Sequence, residues 1–284
     1  MRNTTDDLFA LDGKVAVITG GGGELCGTMA EALAARGVKV AVLDINLANA
    51  EARVGAIENR GGQARAFACS VLEQGQLTEV YEEVVRVWGT PDILINGAGG
   101  NNPKGSTSVE FLEADQAGSP EITTFLDLGM DGFRSTFELN FLGTFLPTKV
   151  FVRGMIEKRS GAVLNMASMS SLTPLTKVGA YSAAKAAVAN FTRWLAVHLA
   201  HTGVRVNALA PGFFMTEQLR FLHIDQQSGD LTPRAKQVMA HTPLGRYGDP
   251  KDLIGAVVWL LSDASGFVTG VVLPIDGGFS SYSI

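Results

Sequence analysis

Cysteine is almost absent from this chain. Its 284 residues include two, Cys26 and Cys69, too few for a disulfide framework and suited to a reducing compartment. Long hydrophobic runs are missing as well. No stretch of about 18 apolar residues predicts a membrane span, and the opening MRNTTDDLFALDG lacks the apolar core of a signal peptide. A cytoplasmic location is therefore expected. There is no basic excess: the net charge is −5, which argues against a general nucleic-acid role, because phosphate backbones call for a basic face. The four histidines, His198, His201, His223 and His241, show no zinc-ligand spacing with cysteines or carboxylates, and no metal is expected. Proline- or serine-rich linkers, repeats and low-complexity tracts are absent, so residues 1–284 read as one domain.

What is present is an ordinary globular composition, 46% hydrophobic and 18% charged, arranged in a strict alternation. KVAVITG (14–20) is a short β-branched run ending in glycines, the pattern of a strand buried on both faces of a parallel sheet. A helix over 24–36 follows, closed by Gly37, and then the strand VKVAVLDI, which reaches Asp44. The unit repeats. Helices near 47–60 and 73–88 lead to the strands ARAFACSV and DILINGAG. A long helix near 130–157 leads to GAVLNMAS, and a second, carrying Tyr181, to VRVNALAPG. A polar excursion from Phe213 to Gly248 precedes a helix at 250–262 and the last strand, GVVLPIDGG. This predicts an α/β fold, a single Rossmann-like doubly wound parallel sheet of about seven strands with helices on both faces.

The chemistry concentrates in SMSSLTPLTKVGAYSAAK, residues 168–185. Tyr181 and Lys185 stand at i and i+4 in an Ala-rich helical run and leave the same face. A phenol of pKa about 10 is a poor acid or base at neutral pH, and a cation held beside it is expected to bring that value down. Ser168 adds a hydroxyl at a strand end. With the glycine-rich turn TGGGGELCG, these residues resemble the short-chain dehydrogenase/reductase family over nearly the whole chain. The resemblance implies an NAD(P)-dependent oxidoreductase acting on CH–OH groups. It assigns proton transfer to Tyr181, ribose binding and pKa tuning to Lys185, the substrate oxygen to Ser168, and a water-linked proton path to Asn140 in FELNFLG.

At the cofactor end, the turn after the first strand lets backbone N–H groups and a helix N-terminus attract a pyrophosphate. Gly20, Gly22, Gly23, Glu24 and Leu25 form this expected cradle. Thr19 and Gly20 match the family's T-G-x-x-x-G-x-G, whereas Glu24 and Cys26 fall where its second and third glycines belong. Asp44, with Ile45 beside it, can accept bonds from the adenosine ribose hydroxyls and would repel a 2′-phosphate. No arginine neighbours it in sequence, so NAD is expected rather than NADP. Ser70 and Val71 take the place of the family's Asp-Val pair at the adenine. Asn96, Gly97, Ala98 and Gly99 resemble its Asn-Asn-Ala-Gly turn, with Gly97 replacing the second asparagine. Pro211, Gly212, Phe213 and Thr216 match the turn beside the nicotinamide.

Two segments are expected to serve the substrate. The first runs over about 100–128, where Asn101, Asn102 and Lys104 offer two amides and a cation to an anionic molecule; Ser168, Ser170 and Tyr181 complete that set. The second is the lobe over about 213–248, where Arg220 and His223 are candidate contacts and Phe213, Phe214, Met215, Leu219 and Phe221 can exclude water. TGGGGELCG, NGAGGNNPKGST, HTPLGRYGDP and DGGFSSYS resemble the family's D-mannonate oxidoreductase (fructuronate reductase) group. That implies reduction of D-fructuronate by NADH. Other readings are a reductase of polyols, keto-gluconate or steroid-like alcohols, and a non-catalytic NAD sensor. The resemblance also implies a homotetramer formed through the helices near 130–157 and 180–201 and the C-terminal segment.

Overall fold

A computed structural model describes residues 8–283, apart from the side chains of Gln218, Phe221 and Leu222. The first residues of the N-terminal segment read above, and the Phe221 side chain expected in the lobe, lie outside the described residues. Seven parallel strands, β1 Val15–Thr19, β2 Lys39–Asp44, β3 Gln63–Ala68, β4 Ile93–Asn96, β5 Gly161–Met166, β6 Val204–Pro211 and β7 Val272–Ile275, are ordered β3-β2-β1-β4-β5-β6-β7. The connecting helices are α1 Glu24–Ala34, α2 Leu47–Glu58, α3 Gln74–Trp88, α4 Met130–Phe137, α5 Gly143–Glu157, α6 Gly179–His198, α7 Glu217–His223, α8 Pro233–Ala240 and α9 Ile254–Leu261.

The near-continuous apolar strands follow from burial on both faces. Ala16, Ile18, Val40, Val42, Ile93 and Ile95 pack on Met29 and Leu33 of α1 and on Val257 and Leu261 of α9. The alternate residues Val15, Val17, Ala41, Leu43 and Leu94 pack on the other side, against Leu77, Phe151, Met155 and Leu195. Side chains of a strand alternate with period two, so one five-residue run supplies both cores. Full burial of a side chain such as Phe151 contributes about 1.5–3 kcal/mol.

Strand order reverses between β1 and β4, and the turns that follow these strands meet there. Gly20 has φ +63°, and a Cβ on it would stand 2.8 Å from Ala98 Cα. Only glycine fits both constraints. Gly37, at φ +78°, closes α1 with bonds from Gly37 N to Ala34 O (3.0 Å) and Val38 N to Leu33 O (3.2 Å).

The expected long helix near 130–157 is interrupted. Between α4 and α5 the chain makes a π-turn over Glu138–Leu142, which periodicity alone does not predict. Asn140 sits inside it, and its Nδ2 donates to Thr136 O at 2.8 Å, four residues back. A side chain thus bonds a backbone carbonyl of the preceding turn where the helix widens. The excursion after β6 is also more regular than expected, for it holds α7 and α8. Among the described residues no helix is long and apolar enough to cross a membrane.

Candidate active site

A cavity of about 980 Å³ opens over the carboxyl ends of β1, β4 and β5, at the reversal of strand order. At one end stand Ser168, Tyr181 and Lys185. The glycine turn and Asp44 form the other end, and Gly97, Ala98, Gly99, Pro211, Gly212 and Thr216 line the length between them. Of the residues named from sequence, Gly20, Gly22, Gly23, Glu24 and Leu25 also line it.

Ser168 ends the segment leaving β5. Its Oγ accepts from Ser170 N at 3.2 Å, capping a 3₁₀ turn over Met169–Ser171, which fixes the hydroxyl at the cavity wall. Lys185 is 4% exposed, and its Nζ donates to Met166 O at 2.7 Å. Burial lowers the ammonium from 10.5 to about 8, with the neighbouring Cys26 pulling the other way. Its Nζ lies 5.7 Å from the Tyr181 ring centroid. The expectation that Lys185 brings the phenol down is not met: burial raises Tyr181 above its usual 10, and the Ser168 hydroxyl is what opposes the rise.

Asn140 is fully buried and lies behind the cavity. It clamps the backbone of Gly100 in both directions, donating from Nδ2 to Gly100 O (2.7 Å) and accepting at Oδ1 from Gly100 N (3.2 Å). A Cβ on Gly99 would stand 2.6 Å from Asn140 Oδ1 and 3.2 Å from Lys185 Nζ. Glycine at position 99 is therefore what lets the amide and the ammonium approach one turn together.

The dinucleotide cradle fits its expected ligand. Gly23, which starts α1, supplies no side-chain cap, so the first-turn N–H groups remain available to an anion. Asp44 Oδ2 accepts from Gly22 N (3.1 Å) and Oδ1 from Asn46 N (2.9 Å), which holds the carboxylate at the cavity edge. The Glu24 carboxylate is engaged at the cavity wall, where Oε2 accepts from Glu217 N at 2.8 Å. A carboxylate is thereby accommodated beside a phosphate-type cradle, and the start of α7 is tied to the start of α1.

Several expected contacts are not brought to the cavity. Asn96 is buried, with Nδ2 donating to Thr148 Oγ1 and Asn165 Oδ1, both at 2.8 Å, so it braces β4 against α5 and β5. Ser70 N donates to Gln76 Oε1 (2.8 Å), Val71 packs against Gly143, and Ile45 is 80% exposed. Phe213 packs against Phe279, the ring centroids 5.4 Å apart and the planes tilted by 52°. Ser170 is buried beside the cavity and is not among its lining residues.

Asn101, Asn102 and Lys104, expected at the substrate, are not among the residues that line the cavity. Asn101 Nδ2 donates to Ser106 Oγ and Asn102 Nδ2 to Ser135 Oγ, each at 2.9 Å, and Lys104 is exposed. The amide of Asn101 is thus engaged within the loop and that of Asn102 with α4. That loop is ordered by local bonds, such as Ser108 N to Thr123 O (2.9 Å), and by ties to its neighbours, Thr107 N to Lys177 O (2.9 Å) and Glu110 Oε1 to Arg234 Nη1 (2.7 Å). Arg220 is exposed, whereas His223 is buried with Nδ1 2.7 Å from Tyr247 Oη.

Sequence reading missed a whole wall. Asn49, Ala52, Arg53 and Ala56 of α2 line the cavity together with Cys26 and Thr28 of α1. Their spacing of i, i+3, i+4 and i+7 was available as a signal that one face of α2 is turned toward a ligand.

A family model described as enoyl-(acyl carrier protein) reductase matches residues 25–280. An uncharacterized oxidoreductase, UxuB, of Bacillus subtilis is 47% identical over 274 residues, covering 96% of this chain and 97% of its own. The chain belongs to the short-chain dehydrogenase/reductase family. It is an oxidoreductase of the kind that acts on CH–OH groups. Within the family it is similar to the 7α-hydroxysteroid dehydrogenase of Escherichia coli, 32% identical with 96% of each chain covered. A Haemophilus influenza protein solved with NAD bound, provisionally assigned as a D-mannonate oxidoreductase, superposes with a TM-score of 0.92. It shares 45% identity and covers 96% of this chain and 97% of its own.

Proposed function

We propose that this short-chain dehydrogenase/reductase interconverts a sugar-acid ketone and its secondary alcohol with NAD(H), reducing D-fructuronate to D-mannonate. The observation that carries the redox reading is the convergence of Ser168, Tyr181 and Lys185 at one end of a cavity whose other end is a glycine turn guarded by Asp44. The substrate reading is supported by the relative assigned to D-mannonate and solved with NAD.

The dinucleotide, when bound, supplies or accepts hydride at a carbon of the substrate. Gly20, Gly22, Gly23 and the first turn of α1 would hold its pyrophosphate, Asp44 its adenosine ribose, and Thr216 and Lys185 its nicotinamide end. Asp44 favours the unphosphorylated ribose through charge repulsion. The chain's own part is placement and proton handling. Ser168 Oγ orients the substrate oxygen and stabilises the negative charge that develops on it. Tyr181, protonated at neutral pH as any phenol is and raised further by its burial, donates its phenolic proton to that oxygen during reduction. Lys185, anchored on Met166 O, places positive charge under the phenol once the proton leaves. Asn140 positions the Gly99–Gly100 turn that frames both groups.

We infer a homotetramer as well. α5 and α6 carry an exposed aromatic stripe, in which Trp194, 56% exposed, stacks on His198 with ring centroids 4.9 Å apart and on Phe191 at 6.0 Å. Exposed aromatics in a contiguous patch mark association surfaces.

A panel of sugar-acid and neutral ketones with NADH and NADPH in parallel, followed by absorbance, tests the substrate reading. NADH oxidation with D-fructuronate is expected. Efficient reduction of neutral ketones with no response to sugar acids would overturn it.

A further inference from the structure

Among the described residues, two that are not glycine take up the left-handed backbone region, Arg159 and Lys177, and Lys177, at φ +71°, stands four residues before Tyr181. A Cβ disfavours that region, so the conformation persists only where surrounding contacts enforce it. The helix that follows gives little help. Val178, which precedes α6, supplies no side-chain cap, and Tyr181 lies in the first turn, where backbone N–H groups have no intrahelical partner. The placement of the phenol therefore depends on the lead-in over 172–178. Leu175 N donates to Ser182 Oγ at 3.4 Å, and Ser182 N donates to Val178 O at 2.9 Å, so the lead-in folds back on that same turn.

The loop over 100–128 and the lobe hold this lead-in from outside. Thr107 N donates to Lys177 O at 2.9 Å. Three residues on, Glu110 Oε1 accepts from Arg234 Nη1 of α8 at 2.7 Å, and the same nitrogen is shared with Thr176 Oγ1 at 3.4 Å and Gln237 Oε1 at 2.9 Å. Gln237 Nε2 donates to the second carboxylate oxygen of Glu110 at 3.4 Å. One ion pair thus joins the loop, the lobe and the residue before Lys177. The Glu110 and Arg234 side chains are 23% and 32% exposed, so water screens the pair less than it would a fully solvated bridge. None of Thr107, Glu110, Lys177 and Arg234 lines the cavity, so any action on the reaction passes through α6.

We propose that Glu110 and Arg234 are positioning residues for the proton donor: their ion pair holds Lys177 in its left-handed turn and thereby fixes the first turn of α6, which carries Tyr181. This rests on the oxidoreductase reading above, and it gives the loop over 100–128 a role that needs no contact with substrate. Without the pair, Lys177 relaxes toward negative φ, and the lead-in and the phenol shift together. Small displacements of a reacting group are costly in rate. Glycine at position 177 populates the positive-φ region unaided, so it makes the pair largely dispensable.

The test is a double-mutant cycle over Glu110→Gln and Lys177→Gly. It reads kcat and KM with NADH and the panel ketone that the wild type reduces fastest, NADH affinity by fluorescence, and hydrogen exchange at the Ser182 amide by mass spectrometry. Glu110→Gln should lower kcat by about tenfold, the size of one hydrogen bond to a charged group. NADH affinity should stay at its wild-type value, and exchange at Ser182 should speed up. In the Lys177→Gly background the same substitution should lower kcat by about threefold or less. Arg234→Lys keeps a cation against Glu110 without the fork that also reaches Thr176, so it should show a smaller loss of the same kind; it carries the test should Glu110→Gln fail to fold. A loss confined to KM overturns the proposal, as do equal losses of kcat in the two backgrounds or unchanged exchange at Ser182. A wild-type protein that turns over no ketone overturns the oxidoreductase reading instead, and the Ser182 exchange then still decides whether the ion pair holds the turn.

Discussion

Cys26 Sγ occupies the space that any side chain at position 97 would need, since a Cβ on Gly97 would overlap it. The two departures from the family pattern thus explain each other. A side chain has entered the first turn where a glycine is usual, and a glycine has entered the second turn where an asparagine is usual. Packed interiors have no spare volume for both side chains.

Gly97→Asn alone should therefore overpack the contact between the two turns and destabilise the protein by about 1–3 kcal/mol, with weaker NADH binding. Cys26→Gly combined with Gly97→Asn should recover much of that loss. A thermal-melt double-mutant cycle checks it, and simple additivity of the two changes would contradict the packing account.

Tyr181→Phe removes the transferable proton and little volume. Turnover should fall by about a hundred- to ten-thousand-fold, while NADH affinity stays close to that of the wild type. Steady-state rates and a fluorescence titration on the same preparation separate the two effects.

Lys185 carries a stability cost whose pH dependence is fixed by its depressed pKa. Above 10.5 the amine is neutral in both the folded and unfolded chain and costs nothing. As pH falls from 10.5 to about 8 the unfolded chain takes up the proton first, so stability is lost across that interval and the loss is constant below it. The full cost is about 3 kcal/mol. Lys185→Met should accordingly raise the melting temperature at pH 7, lose activity, and show a stability gain that shrinks toward pH 10.5. A gain independent of pH would point to packing rather than charge.

Glu24 ties the Gly-rich turn to the first amide of α7. Glu24→Ala should speed hydrogen exchange at the Glu217 amide and raise the KM for NADH. Glu24→Gln keeps an acceptor oxygen, so the amide should stay protected, and the lost carboxylate charge should favour pyrophosphate binding. Mass-spectrometric exchange resolves the two variants.

The aromatic stripe on α6 predicts the oligomeric state. Light scattering should show a tetramer at micromolar concentration, and Trp194→Glu, which places a charge at the stacked ring, should lower the assembly mass. A wild-type monomer would remove this proposal.

Much of the molecule was readable from local pattern. The strands announced themselves as β-branched runs because both sheet faces are buried, and α1 ended at the glycine whose positive φ stops a helix. The Tyr181–Lys185 pair was legible because one helical turn separates the two residues, and a helix sets that geometry without outside help. The π-turn around Asn140 escaped because its energetic compensation comes from a side-chain bond to Thr136 and from Gly100, on a different loop.

By itself, then, the order of residues determined the α/β layering, the pairing of Tyr181 with Lys185 and the glycine turn under a strand end, for each depends on contacts within a few residues or on a periodic pattern. Only the tertiary structure decided which side chains face the cavity. Asn101 and Asn102 bond Ser106 and Ser135 outside its lining, Arg53 is brought in by the packing of α2 on α1, and burial raises the Tyr181 phenol above its usual value. The physical reason is that desolvation and the choice of hydrogen-bond partner depend on every segment that closes over a group, and those segments are distant in the chain.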